Sequence, residues 1–176
     1  MDKIHINLGS DSYDILIDNG LVSRAGPAIR DLTGASKAAI ITEDGIDKLY
    51  GTGLVKSLEE AGIRTQMIVV PSSEKSRNLH LISKVYGALA DFGLGSSDVL
   101  IALGGRVVGD ITGFTAATWH RGVSYIQFPT SVLSQIGSSI GGKITLDLDQ
   151  GTGKNAVGTF YQPKGVFVDP GMAKTL

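Results

Sequence analysis

The sequence contains no cysteine, which excludes disulfide bonds and thiolate metal sites. It has only three histidines, His5, His80 and His120, and no two of them stand at the spacing of a metal-binding motif. No apolar stretch is long enough to cross a bilayer, and residues 1–5 do not have the pattern of a signal peptide. The formal net charge of −1 gives no reason to expect nucleic acid or a membrane surface as a partner. We therefore expect a cytoplasmic soluble protein.

The chain has enough residues for one ordinary domain with a sizeable core. It comprises 176 residues, of which 42% are hydrophobic and 19% charged, a globular composition. We expect a single domain over residues 1–176. Glycine is abundant at 24 residues, and the glycines concentrate after position 90. This concentration suggests that the second half of the chain handles a ligand.

Strand and helix patterns alternate along the first 120 residues. Apolar residues alternate with polar ones over residues 3–18, which predicts an antiparallel hairpin with one buried face. Helical periods are predicted over residues 21–32, 53–61 and 78–92, and buried strands over 38–42, 65–70 and 98–103. Further strands are predicted at 123–127 and 165–168, with a short helix over 131–135. The prediction is an α/β fold: a Rossmann-like, doubly wound and mostly parallel sheet opened by a β-hairpin.

The most informative stretch joins the predicted strand ending at Leu103 to a helix. Gly104 and Gly105 follow the strand, and apolar residues then recur at helical spacing. Such a turn directs backbone N–H groups and a helix N-terminus at one point, where a phosphate or pyrophosphate usually binds. Asp110, just inside the helix, could receive a ligand amide or hydroxyl. The alternative is a helix start that carries a capping acid, which the stretch by itself favours less.

A second glycine cluster, residues 137–143, matches most of the P-loop pattern. Ile144 stands where that pattern needs Ser or Thr for magnesium, and residues 144–148 alternate like a strand rather than a helix. A P-loop is therefore not expected. A third cluster, residues 151–155, also carries a lysine, Lys154. Two such loops suggest an anion site, although solvated hairpin tips have the same composition.

Several acidic and polar residues directly follow predicted strands. Asp44 comes after the strand that ends at Thr42, and residues 71–77 come after the next strand. Because ligands bind at the carboxyl ends of strands in open α/β sheets, we expect both segments beside the turn at 104–110. An acid in this position can hold the ribose hydroxyls of a nucleotide, and it can equally be a helix N-cap.

Taken together, several ordered motifs resemble the dehydroquinate synthase family. The segments that carry the resemblance are Pro71 to Arg77, Gly104 to Phe114, Thr118 to Gly122, Ile126 to Ser131, Ser138 to Lys143, Gly153 to Asn155 and Phe160 to Lys164. Most of them fall between residues 100 and 169 and keep their order and spacing. This combination is far more specific than any one motif.

The resemblance implies an enzyme of the shikimate pathway, a carbon–oxygen lyase that eliminates phosphate from a seven-carbon keto-acid phosphate and forms 3-dehydroquinate. It implies NAD as a catalytic cofactor, zinc or cobalt bound by a separate helical C-terminal domain, and a homodimer. Lys143, Asn155 and Arg121 would be the catalytic and substrate-binding residues, Arg121 reaching the neighbouring subunit. The residues matching NAD contacts are Asp44, Ser72, Ser73, Glu74, Lys75, Ser76, Arg77, Gly105, Arg106, Val107, Val108, Gly109, Asp110, Thr130, Ser131, Lys143, Lys154, Met172, Ala173, Lys174 and Thr175.

Three features depart from the family pattern. Arg106 replaces a middle glycine of the turn, and Gly137 replaces an acid near nicotinamide and substrate. The chain ends at Leu176, before the family's metal-binding domain, so residues 1–176 alone are expected to lack a metal site and synthase activity. At position 106 a positive φ would strain arginine, and its Cβ would hold pyrophosphate away. We therefore expect weak NAD binding, which replacement of Arg106 with glycine should tighten.

Two other interpretations remain open from the sequence. Another sugar-phosphate cyclase of the same superfamily would fit the changes at Arg106 and Gly137. A non-catalytic nucleotide-binding module would also fit the motifs. Trp119, next to Arg121, is either part of an exposed interface or a plug for the domain's own core.

Overall fold

The computed structural model describes residues 1–148 and 153–175. Seven strands form the main sheet in the order β1-β2-β9-β6-β5-β3-β4, and β7 pairs with β8 separately. The main sheet is parallel from β2 to β4, and β1 pairs antiparallel with β2. The strands are β1 (Asp2–Ile6), β2 (Tyr13–Ile17), β3 (Lys37–Glu43), β4 (Arg64–Val70), β5 (Val99–Gly104), β6 (Ser124–Pro129), β7 (Lys143–Leu148), β8 (Gly153–Phe160) and β9 (Gly165–Val168). The predicted mostly parallel sheet with an N-terminal hairpin is confirmed.

Four α-helices connect the parallel strands, and most begin and end close to the predicted residues. They are α1 (Gly26–Thr33), α2 (Thr52–Glu60), α3 (Leu79–Phe92) and α4 (Arg106–Thr118). Asn78 caps α3 by accepting a hydrogen bond from the Leu81 N–H at 3.0 Å. The first helix was predicted five residues too early. Since Pro27 is tolerated only in a first turn, α1 begins beside it, and Leu21–Ser23 forms a separate 3₁₀ turn.

Helices cover both faces of the sheet because the central strands are apolar on both sides. In β3, Ala38 and Ile40 pack with α1 and α2, whereas Ala39 and Ile41 pack with α3 and α4. The β7–β8 pair adds Ile144 and Leu146 to the core on the α3 and α4 side of the sheet. This two-sided burial is typical of parallel sheets and explains the continuous apolar runs of the sequence.

The predicted buried face of the N-terminal hairpin is present on β2 but not on β1. Tyr13 and Ile15 of β2 are buried, but Ile4 of β1 is 49% exposed. β1 is an edge strand, and among the described strands it pairs only with β2. Its apolar side chains alternate as those of a buried strand do, yet the described residues leave about half of Ile4 uncovered and bury Ile6 only in part.

The segment after β6 differs from the predicted short helix. It continues as a π-helix over Ser134–Ser138 and so includes Gly137. Residues 143–148 then form β7 rather than a helix, which confirms that the glycine cluster before it is not a P-loop. Gly151 and Thr152 of the third glycine cluster lie outside the described residues.

The strand order brings the predicted ligand-handling segments to one edge. β5, β3 and β4 are neighbours and parallel, so the residues after Leu103, Thr42 and Val70 share the carboxyl edge of the sheet. The residues after β6 and β9 reach the same edge. Within the described ranges, no helix is both long and apolar enough to cross a membrane.

Candidate functional site

The turn between β5 and α4 presents backbone donors at the carboxyl edge. A Cβ on Gly104 would lie 2.7 Å from Val108, so only glycine fits, whereas Gly105 has room around it. The Gly105 N–H donates to Glu43 Oε1 at 3.4 Å. Within residues 1–148 and 153–175, the N–H groups of Arg106, Val107 and Val108 have no hydrogen-bond acceptor. These free donors at a helix N-terminus are suited to an anionic oxygen.

Glu43 is a candidate site residue that the sequence interpretation passed over in favour of its neighbour Asp44. It is the last residue of β3 and the acid that contacts the glycine turn. Asp44, the predicted ribose-binding acid, is exposed and pairs with Lys48 Nζ at 2.8 Å. Two consecutive acids at a strand end were a visible signal, but only the strand pairing shows which of them faces Gly105.

A cavity of about 240 Å³ lies beside the glycine turn and brings several predicted residues together. Lys143 and Asn155 come from β7 and β8, and Arg106 and Asp110 come from α4. Gly137 lines the cavity. A Cβ added at Gly137 would have no other atom within 4 Å, so a side chain would fit there. The lining residues are Arg106, Asp110, Gly137, Ser138, Ile140, Lys143, Thr145 and Asn155. Two cationic side chains and one carboxylate thus share a small polar space.

Arg77 does not occupy the place expected of a cofactor contact. Its side chain is fully buried, and it is the largest fully buried side chain in the described residues. Its Nη1 donates to Asp110 Oδ2 at 3.1 Å, and its Nη2 donates to Asp147 Oδ1 at 3.2 Å and Asn155 Oδ1 at 2.8 Å. Because every side-chain atom is covered, Arg77 cannot touch a ligand from this position.

Arg106 adopts ordinary helical backbone, so the expected strain is absent. It is the first residue of α4 and is not among the non-glycine residues with positive φ. Its guanidinium lies 3.5 Å from Glu74 Oε1 and 3.4 Å from Asn155 Oδ1, and its Nε lies 3.9 Å from Asp110 Oδ2. The sequence interpretation assumed that this position needs positive φ, but a helix N1 residue does not.

Other predicted cofactor contacts divide into accessible and buried groups. Ser72, Ser73, Lys75, Lys154 and Lys174 are exposed, and Ser76, Gly109 and Ala173 are partly exposed. Ser131 lies near Gly105 and accepts a hydrogen bond from the Ser134 N–H at 3.2 Å.

Val107, Val108, Thr130 and Met172 are buried, Met172 at 1% exposure. Met172 packs in the core with α1 and α2, so its side chain is not available as a ligand contact. The side chains of these four residues are therefore not available to a ligand, whereas the N–H groups of Val107 and Val108 are free in the described residues. Thr175 Oγ1 lies 2.7 Å from the Tyr50 hydroxyl.

Arg121 lies far from the cavity of its own chain. It follows the C-terminal end of α4, whereas Arg106 begins that helix, and 13 residues of helix span about 20 Å. Arg121 is exposed and has φ 64°. Trp119 stacks on Tyr86 at 5.9 Å and donates its Nε1–H to the Leu94 carbonyl, which favours the core-plug interpretation over an interface.

Burial raises the pKa of Asp110 to about 6, although Arg77 and Arg106 oppose that rise. The carboxyl group is 7% exposed and directly contacts Arg77 Nη1. A carboxyl with a pKa near neutrality can exchange a proton at physiological pH, which is a property of acid–base groups in active sites.

The raised pKa of Asp110 predicts that the free energy of unfolding decreases as the pH rises. Because the folded-state pKa exceeds the usual value of 3.8, the folded protein binds this proton more tightly than the unfolded chain does. Protonation of Asp110 contributes on the order of 2–3 kcal/mol to the free energy of unfolding. This contribution is complete below about pH 4 and is lost as the pH rises through about 6. Urea unfolding between pH 4 and 7, compared with Asp110→Asn, measures it. Identical pH profiles for the two proteins would contradict the prediction.

A second, larger cavity lies between the N-terminal hairpin and α1. Its volume is about 410 Å³, and Lys3, His5, Asp14 and Leu32 are among its lining residues. His5 Nδ1 and Asp14 Oδ1 pair with each other at 2.8 Å. No three His, Asp or Glu side chains of the described ranges come together as a metal site.

Comparison with known proteins identifies the family of the chain. The family model for the N-terminal part of 3-dehydroquinate synthase matches residues 67–176. The 3-dehydroquinate synthase of Clostridium acetobutylicum is 48% identical over 176 residues, covering 100% of this chain and 49% of that protein. The Enterococcus faecalis enzyme of the same name is 44% identical over 174 residues, covering 99% and 48%. The chain thus spans about half the length of the curated relatives it matches.

Solved structures of related cyclases share the fold. A 2-deoxy-scyllo-inosose synthase with carbaglucose-6-phosphate, NAD⁺ and Co²⁺ superposes with TM-score 0.87 at 18% identity, covering 97% of this chain and 46% of that one. A 2-epi-5-epi-valiolone synthase from Streptomyces hygroscopicus, with NAD⁺ and Zn²⁺ bound, has TM-score 0.82 at 27% identity, again covering 97% and 46%. The family match over residues 67–176, together with relatives that align along the whole chain, shows that this chain belongs to the 3-dehydroquinate synthase family.

Proposed function

We propose that this chain is a single NAD-binding domain of a 3-dehydroquinate synthase. Such an enzyme converts 3-deoxy-D-arabino-heptulosonate 7-phosphate to 3-dehydroquinate with elimination of phosphate. The observation that carries the proposal is the glycine turn with three free N–H donors beside a cavity that contains Arg106 and Lys143. The free N–H donors and the two cationic side chains can bind anionic groups, which both a dinucleotide and a sugar phosphate carry.

The donor set of the turn fits the pyrophosphate of NAD. The N–H groups of residues 106–108 would hold its oxygens, and the absence of a Cβ on Gly105 leaves room for close approach. Glu43 and Asp44 stand where an acid can accept hydrogen bonds from ribose hydroxyls. When bound, NAD supplies a hydride acceptor for a substrate hydroxyl.

The cavity supplies groups for the substrate. Lys143 and Arg106 would attract an anionic group, and Asp110 would accept a hydrogen bond or a proton from a hydroxyl. Zinc or cobalt belongs to the proposed whole enzyme. Within residues 1–148 and 153–175, no three His, Asp or Glu side chains come together as a ligand set for either metal.

The remaining parts of the proposal rest on the family resemblance. They are a homodimer in which Arg121 reaches the partner's substrate, a cytoplasmic location, and Lys174 and Thr175 as part of the NAD site. A different sugar-phosphate substrate is the second candidate, which Gly137 favours because no acidic side chain stands at this position of the cavity wall. The 48% identity to a 3-dehydroquinate synthase, against 27% to the valiolone synthase, supports the first candidate.

Gly105→Ala tests the proposed NAD site. Since a Cβ at Gly105 meets nothing closer than 3.7 Å, the variant should fold normally, but the methyl group would stand over the free N–H groups. We expect NAD to bind about tenfold more weakly, or ~1.4 kcal/mol, by titration calorimetry on the 176-residue chain. Gly87→Ala, on the exposed side of α3, is the matched control and should leave affinity unchanged. An intact wild-type chain that does not bind millimolar NAD would refute the proposal.

Arg106→Gly tests whether the arginine obstructs the same approach. Because Arg106 does not have a positive φ, the expected change comes only from ligand access to the backbone. We still expect about tenfold tighter NAD binding, or ~1.4 kcal/mol. Arg106→Gln keeps the Cβ and removes the charge, and it should not tighten binding. Equal or weaker binding by Arg106→Gly would mean that the guanidinium is tolerated or assists the ligand.

A further inference from the structure

Three donors determine the orientation of the Asn155 side-chain amide. Its Oδ1 accepts hydrogen bonds from Arg77 Nη2 at 2.8 Å, Thr145 Oγ1 at 3.1 Å and Arg106 Nη2 at 3.4 Å. An amide NH₂ group can only donate, so the flipped amide would place N–H groups against two guanidinium groups. The oxygen therefore has to face Arg77.

The backbone of Asn155 is held by the same cluster. Its φ of 55° lies in the left-handed region, which asparagine tolerates better than most residues. The Asn155 N–H donates to Asp147 Oδ1 at 2.6 Å, and Arg77 Nη2 donates to the same oxygen at 3.2 Å. The Asp147 N–H in turn donates to the Arg77 carbonyl. Arg77 thus secures both the main chain and the side chain of Asn155.

This arrangement leaves the Asn155 NH₂ group for a ligand. Asn155 is exposed and lines the cavity together with Arg106 and Lys143. Its Oδ1 accepts a hydrogen bond from the buried Arg77. Its Nδ2 has no hydrogen-bond partner within residues 1–148 and 153–175. Two N–H donors therefore border a cavity that two cationic side chains already make favourable for an anion.

We propose that Arg77 is a positioning residue, which fixes Asn155 so that its NH₂ group donates to an anionic oxygen bound in the cavity. Arg77 itself does not touch that ligand. The identity of the natural ligand, a phosphorylated sugar, rests on the proposed function. The geometry of the Asn155 amide does not depend on it.

The planar fork of arginine explains why this role needs Arg77. One arm, Nη1, reaches Asp110 and the Thr145 carbonyl, and the other arm, Nη2, reaches Asp147 and Asn155. A lysine ammonium is a single point charge that cannot serve both ends. Arg77→Lys should therefore keep a cation near Asp110 while it releases the Asn155 amide.

The test uses inorganic phosphate and the Asn155 side-chain NH₂ signals of the ¹⁵N-labelled chain, assigned by their loss in Asn155→Ala. In the wild-type chain we expect these signals to shift on phosphate addition. Arg77→Lys should weaken phosphate binding by about tenfold and broaden or shift the free amide signals. In the Asn155→Ala background the same Arg77→Lys change should alter affinity less than about twofold, because the effect acts through Asn155.

Several outcomes would overturn the proposal. They are an equal loss of affinity with and without Asn155, unchanged Asn155 signals in Arg77→Lys, and no Asn155 shift in the wild-type chain at saturating phosphate. If Arg77→Lys fails to fold, Thr145→Val removes another donor to Oδ1 and should cause a smaller loss, again only when Asn155 is present. NAD binding is measured separately, so failure of the nucleotide assignment leaves these readouts unaffected.

Discussion

Replacing Arg77 with methionine is expected to lower the free energy of unfolding by about 3–5 kcal/mol at pH 8. Methionine fills similar space, but the buried Asp110 carboxylate loses its closest cation, and Asp147 and Asn155 lose hydrogen bonds. A buried charge without a partner is among the largest single destabilising effects in proteins. The loss is comparable with the total stability of many domains, so the variant should be close to unfolding.

The pH dependence identifies the cause of this loss. At pH 5 the Asp110 of the variant takes up a proton, because burial already raises its pKa to about 6 in the intact protein. The destabilisation should therefore be clearly smaller at pH 5 than at pH 8. Arg30→Met is the control, since Arg30 is exposed and donates one hydrogen bond to the Gly62 carbonyl. A loss below about 1 kcal/mol at both pH values would show that Arg77 is not an essential buried partner.

Gly26→Ala is expected to destabilise the fold by about 3 kcal/mol. A Cβ at Gly26 would lie 2.0 Å from the Ser57 carbonyl oxygen of α2, and the Gly26 N–H donates to Ser57 Oγ at 2.9 Å. The clash involves main chain rather than a flexible side chain, so α1 has to move away from α2. Urea unfolding at neutral pH measures the change.

Gly87→Ala is the matched control for this substitution. Gly87 lies within α3, is exposed, and has nothing within 4 Å of a built Cβ. Alanine should stabilise the protein there by about 0.5–1 kcal/mol, because it restricts the unfolded chain and favours helix. Equal effects at the two glycines would mean that the close approach of α1 and α2 is not rigid.

The sequence predicted the fold because its strands and helices have different periods. The alternation of strand and helix patterns along the first 120 residues indicated a mostly parallel sheet, and Gly104-Gly105 indicated the turn before α4. Ile144 in place of Ser or Thr, with the alternation after it, was enough to exclude a P-loop. These are local signals, and each depends on neighbouring residues of the chain.

The roles of individual charged residues could not be read in the same way. Arg77 matched a cofactor-contacting position, yet its guanidinium is buried among groups from α4, β7 and β8. Met172 matched a contact segment and is buried in the core, whereas Glu43 was overlooked beside Asp44. Arg77 lies 33 residues from Asp110 along the chain, and Glu43 lies 62 residues from Gly105.

What the sequence by itself determined was the order of elements, the two-sided core and the place of the glycine turn, because burial of apolar surface follows periodicity. Only the tertiary structure decided which charges meet. A long side chain such as Arg77 or Arg106 can reach several partners, and the packing of β7–β8 against α4 selects among them. The same packing separates Arg121 from the cavity that Lys143 and Asn155 line, since α4 places the two groups at its opposite ends.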